Sequence, residues 1–117
     1  MPGHRNTLGK GESLGPQESL WSSDGRVEAK YQGDGKLAVY RDGTCIWQST
    51  AEQVPNPKSL VMQEDGNLVI YDQAGKATWH TDTADSSPGA HHILCVQNDG
   101  NLVLYKGEPI WSTNTGN

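Results

Sequence analysis

Apolar positions in this chain recur at every second residue, in short runs, and not at the 3.6-residue spacing of a helix. In NLVIY (67–71), Leu68 and Ile70 alternate with Asn67, Val69 and Tyr71; NLVLY (101–105) repeats the pattern with Leu102 and Leu104. Such alternation predicts a strand with one buried face. SLVMQ (59–63) and HILCVQ (92–97), rich in β-branched and aliphatic residues, predict further strands. Glu-Asp-Gly or Asn-Asp-Gly lies between neighbouring strands and predicts a tight two-residue hairpin. Turns at 42–43, 73–75 and 106–109 then lead to segments centred on Trp47, Trp79 and Trp111. No stretch joins helical periodicity to caps, so the chain reads as all-β.

The pattern occurs three times. YQGDGKLAVY (31–40), MQEDGNLVIY (62–71) and VQNDGNLVLY (96–105) align, and the three Trp residues that follow stand 32 residues apart. The extra length before the third copy is expected in the loop 84–90. One domain over 1–117 with three repeats, about 20–50, 51–83 and 84–115, is the expected organisation, since no single repeat could bury its apolar face alone. Trp47, Trp79 and Trp111 either fill the centre or stack on a ligand; their regular spacing and aliphatic neighbours favour the centre.

Composition narrows the function. Hydrophobic residues make up 33% of the 117, too few for a thick multilayered core. Nine Lys+Arg against 14 Asp+Glu disfavour nucleic acid and anionic membranes as partners. No apolar run approaches the ~18 residues that would insert in a bilayer. The N-terminal MPGHRNTLGKGESLG has no apolar segment resembling a signal peptide, so any export is expected to be unconventional.

If Leu68 and Ile70 point inward, Asn67, Val69 and Tyr71 line the outer face, and counting back across the hairpin brings Gln63 and Asp65 near them. The set Gln-x-Asp-x-Asn-x-Val-x-Tyr is intact twice, as Gln63, Asp65, Asn67, Val69, Tyr71 and as Gln97, Asp99, Asn101, Val103, Tyr105. Amide donors, carboxylate acceptors and a phenol around one methyl-bearing side chain suit a polyhydroxylated ligand, whose hydroxyls each donate and accept. A hydroxyl pointing the wrong way would leave such groups unpaired, at roughly 1–3 kcal/mol each. Turn formation accounts for the Asp-Gly pairs whatever the function. It does not require the same Gln, Asn and Tyr, although inheritance between repeats could preserve them.

These segments resemble the monocot mannose-binding lectins of the bulb-type, snowdrop-like family, which also has fish-mucus members. The resemblance runs from about Leu8 to Asn114 and includes Ile-Trp-Ser-Thr-Asn-Thr at 110–115. It implies a β-prism II fold, three four-stranded antiparallel sheets around a pseudo-threefold axis. It also implies mannose binding without a metal or other cofactor. Asp65 with Asn67 would hold the axial 2-hydroxyl, Gln63 the 3-hydroxyl and Tyr71 the 4-hydroxyl, with Val69 against the ring carbons. Asp99, Asn101, Gln97, Tyr105 and Val103 would act alike. In the family the C-terminal strand is exchanged between two subunits, which implies a homodimer centred on Ile110, Trp111 and Thr113.

The first repeat departs from the pattern. Gln32, Asp34 and Tyr40 are in place, but Lys36 replaces the Asn and Ala38 the Val. An ammonium donates and cannot accept, and Lys36 could pair with Asp34, so a silent or weak site is expected, or one with a different sugar preference. His4, His80, His91 and His92 form no catalytic grouping, and the pair at 91–92 is expected to be solvated; an enzyme is not expected. Cys45, two residues before Trp47, is expected in the core, and Cys95, two before Gln97, on the outer face as a reactive thiol or an intermolecular link. The two function classes are a mannose-binding lectin of defence or adhesion and a non-catalytic prism scaffold whose sugar sites have drifted, acting through protein contacts or storage.

Overall fold

The computed structural model describes residues 5–50, 52–85 and 91–116. His4 and most of the 84–90 loop lie outside them. The described strands are β1 (Thr7–Gly9), β2 (Ser13–Leu14), β3 (Glu18–Trp21), β4 (Val27–Tyr31), β5 (Leu37–Arg41), β6 (Thr44–Gln48), β7 (Pro57–Met62), β8 (Leu68–Asp72), β9 (Ala77–His80), β10 (His92–Val96), β11 (Leu102–Lys106) and β12 (Glu108–Ser112). They form three antiparallel four-stranded sheets, ordered β3-β4-β5-β6, β2-β7-β8-β9 and β1-β10-β11-β12. No helix occurs among the described residues. The all-β reading holds.

Alternation explains the core. Leu37, Val39, Leu68, Ile70, Leu102 and Leu104 come from the three equivalent strands β5, β8 and β11 and meet in one buried cluster. Trp47, Trp79 and Trp111 pack against that cluster and against one another, edge to face, with ring centroids 5.7–5.9 Å apart. The arrangement is threefold to within 0.2 Å in these distances, and each ring edge meets the electron-rich face of a neighbour. The central placement of the Trp residues is therefore the one adopted.

Each Trp reaches the centre through a β-bulge. Val39 faces Trp47 while Tyr40 faces Cys45, so Ile46 is the extra residue. Thr78 and Ile110 are its counterparts, because Ile70 and Tyr71 face Trp79 and Ala77, and Leu104 and Tyr105 face Trp111 and Pro109. A bulge reverses the alternation of the strand that carries it. Cys45 therefore lies exposed beside Tyr40 on the outer face rather than in the core. Cys95 is on the outer face in register with Val103, as expected, but half-buried, and burial pushes its thiol pKa up; it is not an activated thiol.

The hairpin turns also differ from expectation. Gly66 donates its N–H to the Gln63 carbonyl at 2.9 Å and Gln63 donates to the Asn67 carbonyl at 2.9 Å, which closes a three-residue loop in place of a two-residue one. In this loop the glycine takes the left-handed position, at φ +88° for Gly66, +85° for Gly35 and +97° for Gly100. The preceding Asp caps the turn: Asp34, Asp65 and Asp99 accept from the N–H of Lys36, Asn67 and Asn101 at 3.0, 2.9 and 2.9 Å.

Residues 7–21 hold a feature that the sequence reading did not foresee. They lay one edge strand on each sheet in turn: β1 on β10, β2 on β7 and β3 on β4. Leu8, Leu14 and Leu20, six residues apart, are each 3% exposed or less. Gly9 and Gly15 donate to the Glu12 and Glu18 carboxylates at 2.6 Å, so Leu-Gly-x-x-Glu-Ser, present at 8–13 and 14–19, is a second, shorter repeat.

Candidate functional site

The outer-face residues of the three large repeats converge at equivalent places, one on each sheet. β8 carries Val69 and Tyr71 and is led by Asn67, while the turn before it carries Gln63 and Asp65. The Gln63 amide donates to the Tyr71 hydroxyl, and Gln97 does the same to Tyr105. Val69 and Val103 are 3% exposed, yet neither belongs to the central cluster. Each therefore makes a small apolar floor on the outer face, ringed by polar groups. Neither Tyr71 nor Tyr105 packs in the interior; both stay half-exposed beside their Gln partners.

The intact sets contain partners that their five-residue pattern does not reveal. Asn67 Oδ1 accepts from the Thr83 N–H at 3.2 Å and from the Thr81 hydroxyl at 3.3 Å. Asn101 Oδ1 accepts from Thr115 at 3.4 Å and Thr113 at 3.2 Å in the same way. His80 also meets the Asn67 set, with Nδ1 3.2 Å from Asn67 Nδ2. Reading the Trp-x-Thr-x-Thr segments 79–83 and 111–115 as extensions of β9 and β12 would have found these threonines, since the strand beside Asn67 has to bring something to its side chain.

The first repeat is built differently. Its Tyr40 hydroxyl donates to Gln32 Oε1, and the Gln32 amide donates to both Asp34 oxygens at 3.3 Å. The amide is turned about relative to Gln63 and Gln97, and it engages the carboxylate. Lys36 is 8% exposed, and its ammonium donates to Gln48 Oε1 at 3.5 Å. Ala38 is fully buried and offers no methyl pair to a ligand. Burial raises the Tyr40 pKa first, with Cys45, Asp34 and Glu28 adding negative charge nearby. A recess beside this set is lined by Gly33, Asp34, Gln53, Val54 and Pro55.

The histidine pair divides. His91 is exposed, but His92 is 3% exposed, against the expectation of a solvated pair. Among the described residues neither ring nitrogen of His92 has a hydrogen-bond partner, and the ring packs on the Gly66 turn, where a Cβ would come within 2.4 Å of it. Alternation on β10 carries it inward, together with Leu94 and Val96. Among the described residues no three His, Cys, Asp or Glu side chains are grouped to hold a metal ion.

No family model matches the chain. Individual proteins do. A mannose-specific lectin of Aloe arborescens is 33% identical over 99 residues, 85% of this chain and 89% of that one. The B-type lectin plumieribetin of the fish Scorpaena plumieri is 33% identical over 109 residues, covering 92% and 94%. Among solved structures, the mannose-specific agglutinin of snowdrop (Galanthus nivalis) bulbs, complexed with methyl-α-D-mannoside, superposes with a TM-score of 0.75 at 32% identity over 96% of this chain and 98% of that one. Lectins bind carbohydrate without transforming it. On its near-complete match to these relatives and on its three-sheet β-prism II architecture, the chain belongs to the bulb-type, snowdrop-like lectin family.

Proposed function

We propose that the chain is a mannose-binding lectin with two working sites, Gln63–Asp65–Asn67–Val69–Tyr71 and Gln97–Asp99–Asn101–Val103–Tyr105, acting on mannose-rich glycans without a metal. One observation carries the reading: two sheets present the same donor, acceptor and apolar groups on their outer faces, in the same internal hydrogen bonds. Asp65 binds the Asn67 N–H through Oδ1, and its other oxygen can accept from a sugar hydroxyl. The Asn67 amide can donate to the same hydroxyl. A hydroxyl held there gives to one and takes from the other, and the family resemblance implies that it is the axial 2-hydroxyl. Val69 receives the ring carbons. The relatives named mannose-specific, and the snowdrop agglutinin seen with a mannoside, favour mannose over other hexoses as the ligand.

The first repeat is proposed to be silent, because Asp34 already receives the Gln32 amide and Lys36 cannot accept. Retention on mannose-agarose, elution by free mannose and indifference to EDTA are the expected behaviour. Calorimetry should count two sites in the parent, one in Asn67→Ala and in Asn101→Ala, and none in the double variant. A double variant that binds like the parent overturns the assignment, and a parent that ignores mannose favours the drifted scaffold.

Exchange of β12 between two copies is proposed to make a homodimer. β12 is an edge strand, and Ile93 and Ile110, each 39% exposed, place two large apolar side chains on its sheet. Pairing sites in this way would raise avidity for clustered glycans, in a role of defence or adhesion. Light scattering should give twice the chain mass; a monomer at all concentrations tested removes this part.

A further inference from the structure

The side-chain amide of an Asn can be turned either way, and a site that reads a hydroxyl depends on which end faces out. We propose that the Thr81/Thr83 and Thr113/Thr115 pairs are positioning residues that hold the Asn67 and Asn101 amides with nitrogen outward, and that this orientation sets the discrimination between sugars differing at one hydroxyl. The proposal rests on the carbohydrate reading for its ligand and goes beyond it by naming what fixes the geometry.

The argument begins with a donor that cannot be turned round. A backbone N–H only donates, so the Asn67 atom 3.2 Å from the Thr83 N–H is the oxygen, and the same holds for Asn101 at Thr115. The amide nitrogen then projects away from the loop. On Asn67 it lies 3.2 Å from His80 Nδ1, which accepts when the neutral ring carries its proton on Nε2.

The loop is itself tied to the turn. The Thr83 hydroxyl donates to the Gly66 carbonyl at 2.7 Å and lies 2.7 Å from the Thr81 hydroxyl, which accepts from the Leu68 N–H at 3.2 Å. Thr115, Gly100, Thr113 and Leu102 repeat the chain at 2.5, 2.7 and 3.2 Å. Each threonine has one hydroxyl proton. Whichever way the protons run, the second hydroxyl fastens the backbone that presents the N–H to Asn. At the corresponding positions the first repeat has Ser49, whose hydroxyl accepts from Leu37 N–H at 3.1 Å, and Ala51, which has no hydroxyl to offer. The repeat that lost its Asn also lacks the second threonine.

The test isolates one site. In an Asn101→Ala background, Thr83→Ala and Thr83→Ser are compared in two measurements. The first needs no sugar: the order parameter of the Asn67 side-chain amide by ¹⁵N relaxation in the ligand-free protein. It should be high with Thr or Ser at 83 and fall with Ala. The second is the affinity ratio for methyl α-mannoside over methyl α-glucoside, epimers at the 2-hydroxyl. Thr83→Ala should reduce that ratio about tenfold, the effect of one such group left unpaired, and Thr83→Ser should restore it. A residue that only stabilises the fold would lower the melting temperature and leave the ratio alone. An unchanged order parameter in Thr83→Ala overturns the proposal whether or not sugar binds. A falling order parameter with no mannoside binding in the parent upholds the positioning and defeats the carbohydrate reading instead. An unchanged ratio with mannoside bound overturns the link to specificity.

Discussion

His92 illustrates how far one side chain can depart from what its neighbours in sequence imply. It follows an exposed His91 and precedes an exposed Ile93, yet β10 carries it inward against Gly66. Burial holds its pKa below the ordinary 6.5; Asp85 and Asp65 pull it up, while Lys10 and Lys106 push it down. A base with a depressed folded pKa is held neutral by the fold, so the unfolded chain binds more protons just below pH 6.5. Stability should therefore be complete above that pH and decline as the pH falls through 6.5 toward the folded value. Urea unfolding of the parent and of His92→Leu at pH 7.5 and 5.5 measures this. The difference in stability between the two pH values should shrink in the variant, and an equal difference would mean that the ring is not held neutral. Asn67 teaches the complementary lesson: its place in the pattern was legible, but the threonines and histidine at its side chain lie 13 to 16 residues further on.

Among the elements, the turns and bulges do what alternation cannot. Period-two patterning told which residues of β8 and β11 face inward, because those strands carry no bulge. It misplaced Cys45 because an extra residue in β6 shifts the phase, and Ile46 has no chemical mark that announces it. The left-handed glycines separate backbone strain from packing. Gly75, at φ +84°, has open space around it, whereas a Cβ on Gly66 would strike the His92 ring. Gly75→Ala should cost about 1 kcal/mol through its φ alone. Gly66→Ala should cost at least about 3 kcal/mol, since a steric clash in a packed site is added. Chemical denaturation of both, and of Gly66→Ala with His92→Ala, checks this; the second substitution should recover part of the loss. Equal costs for the two glycines would show that the ring gives way freely.

Closure of the whole molecule depends on its beginning. Each sheet ends on one side with a Trp strand and on the other with a strand drawn from residues 7–21. Terminal segments usually fray, and their substitutions cost little. Here Leu8 is fully buried in the shared cluster, so Leu8→Ala should cost about 2–4 kcal/mol, close to Leu20→Ala. Urea titration settles it: a loss under about 0.5 kcal/mol for Leu8→Ala would mean that β1 is not integral to the fold. The triad of Trp rings joins the sheets at the centre, and because each ring contacts both others, no sheet can leave without breaking two contacts.

The sequence by itself determined the strand-rich class, the threefold repetition, the inward leucines and the outer sets of Gln, Asp, Asn, Val and Tyr, because each is a periodic property of adjacent residues. Only the tertiary structure decided which N-terminal strand completes which sheet, where the bulges turn the tryptophans inward, that His92 is buried, and which loop fixes the amide of each Asn. Those depend on contacts between residues distant along the chain, whose partners are selected by packing and by the need of every buried polar group for a hydrogen bond, neither of which leaves a local period to read.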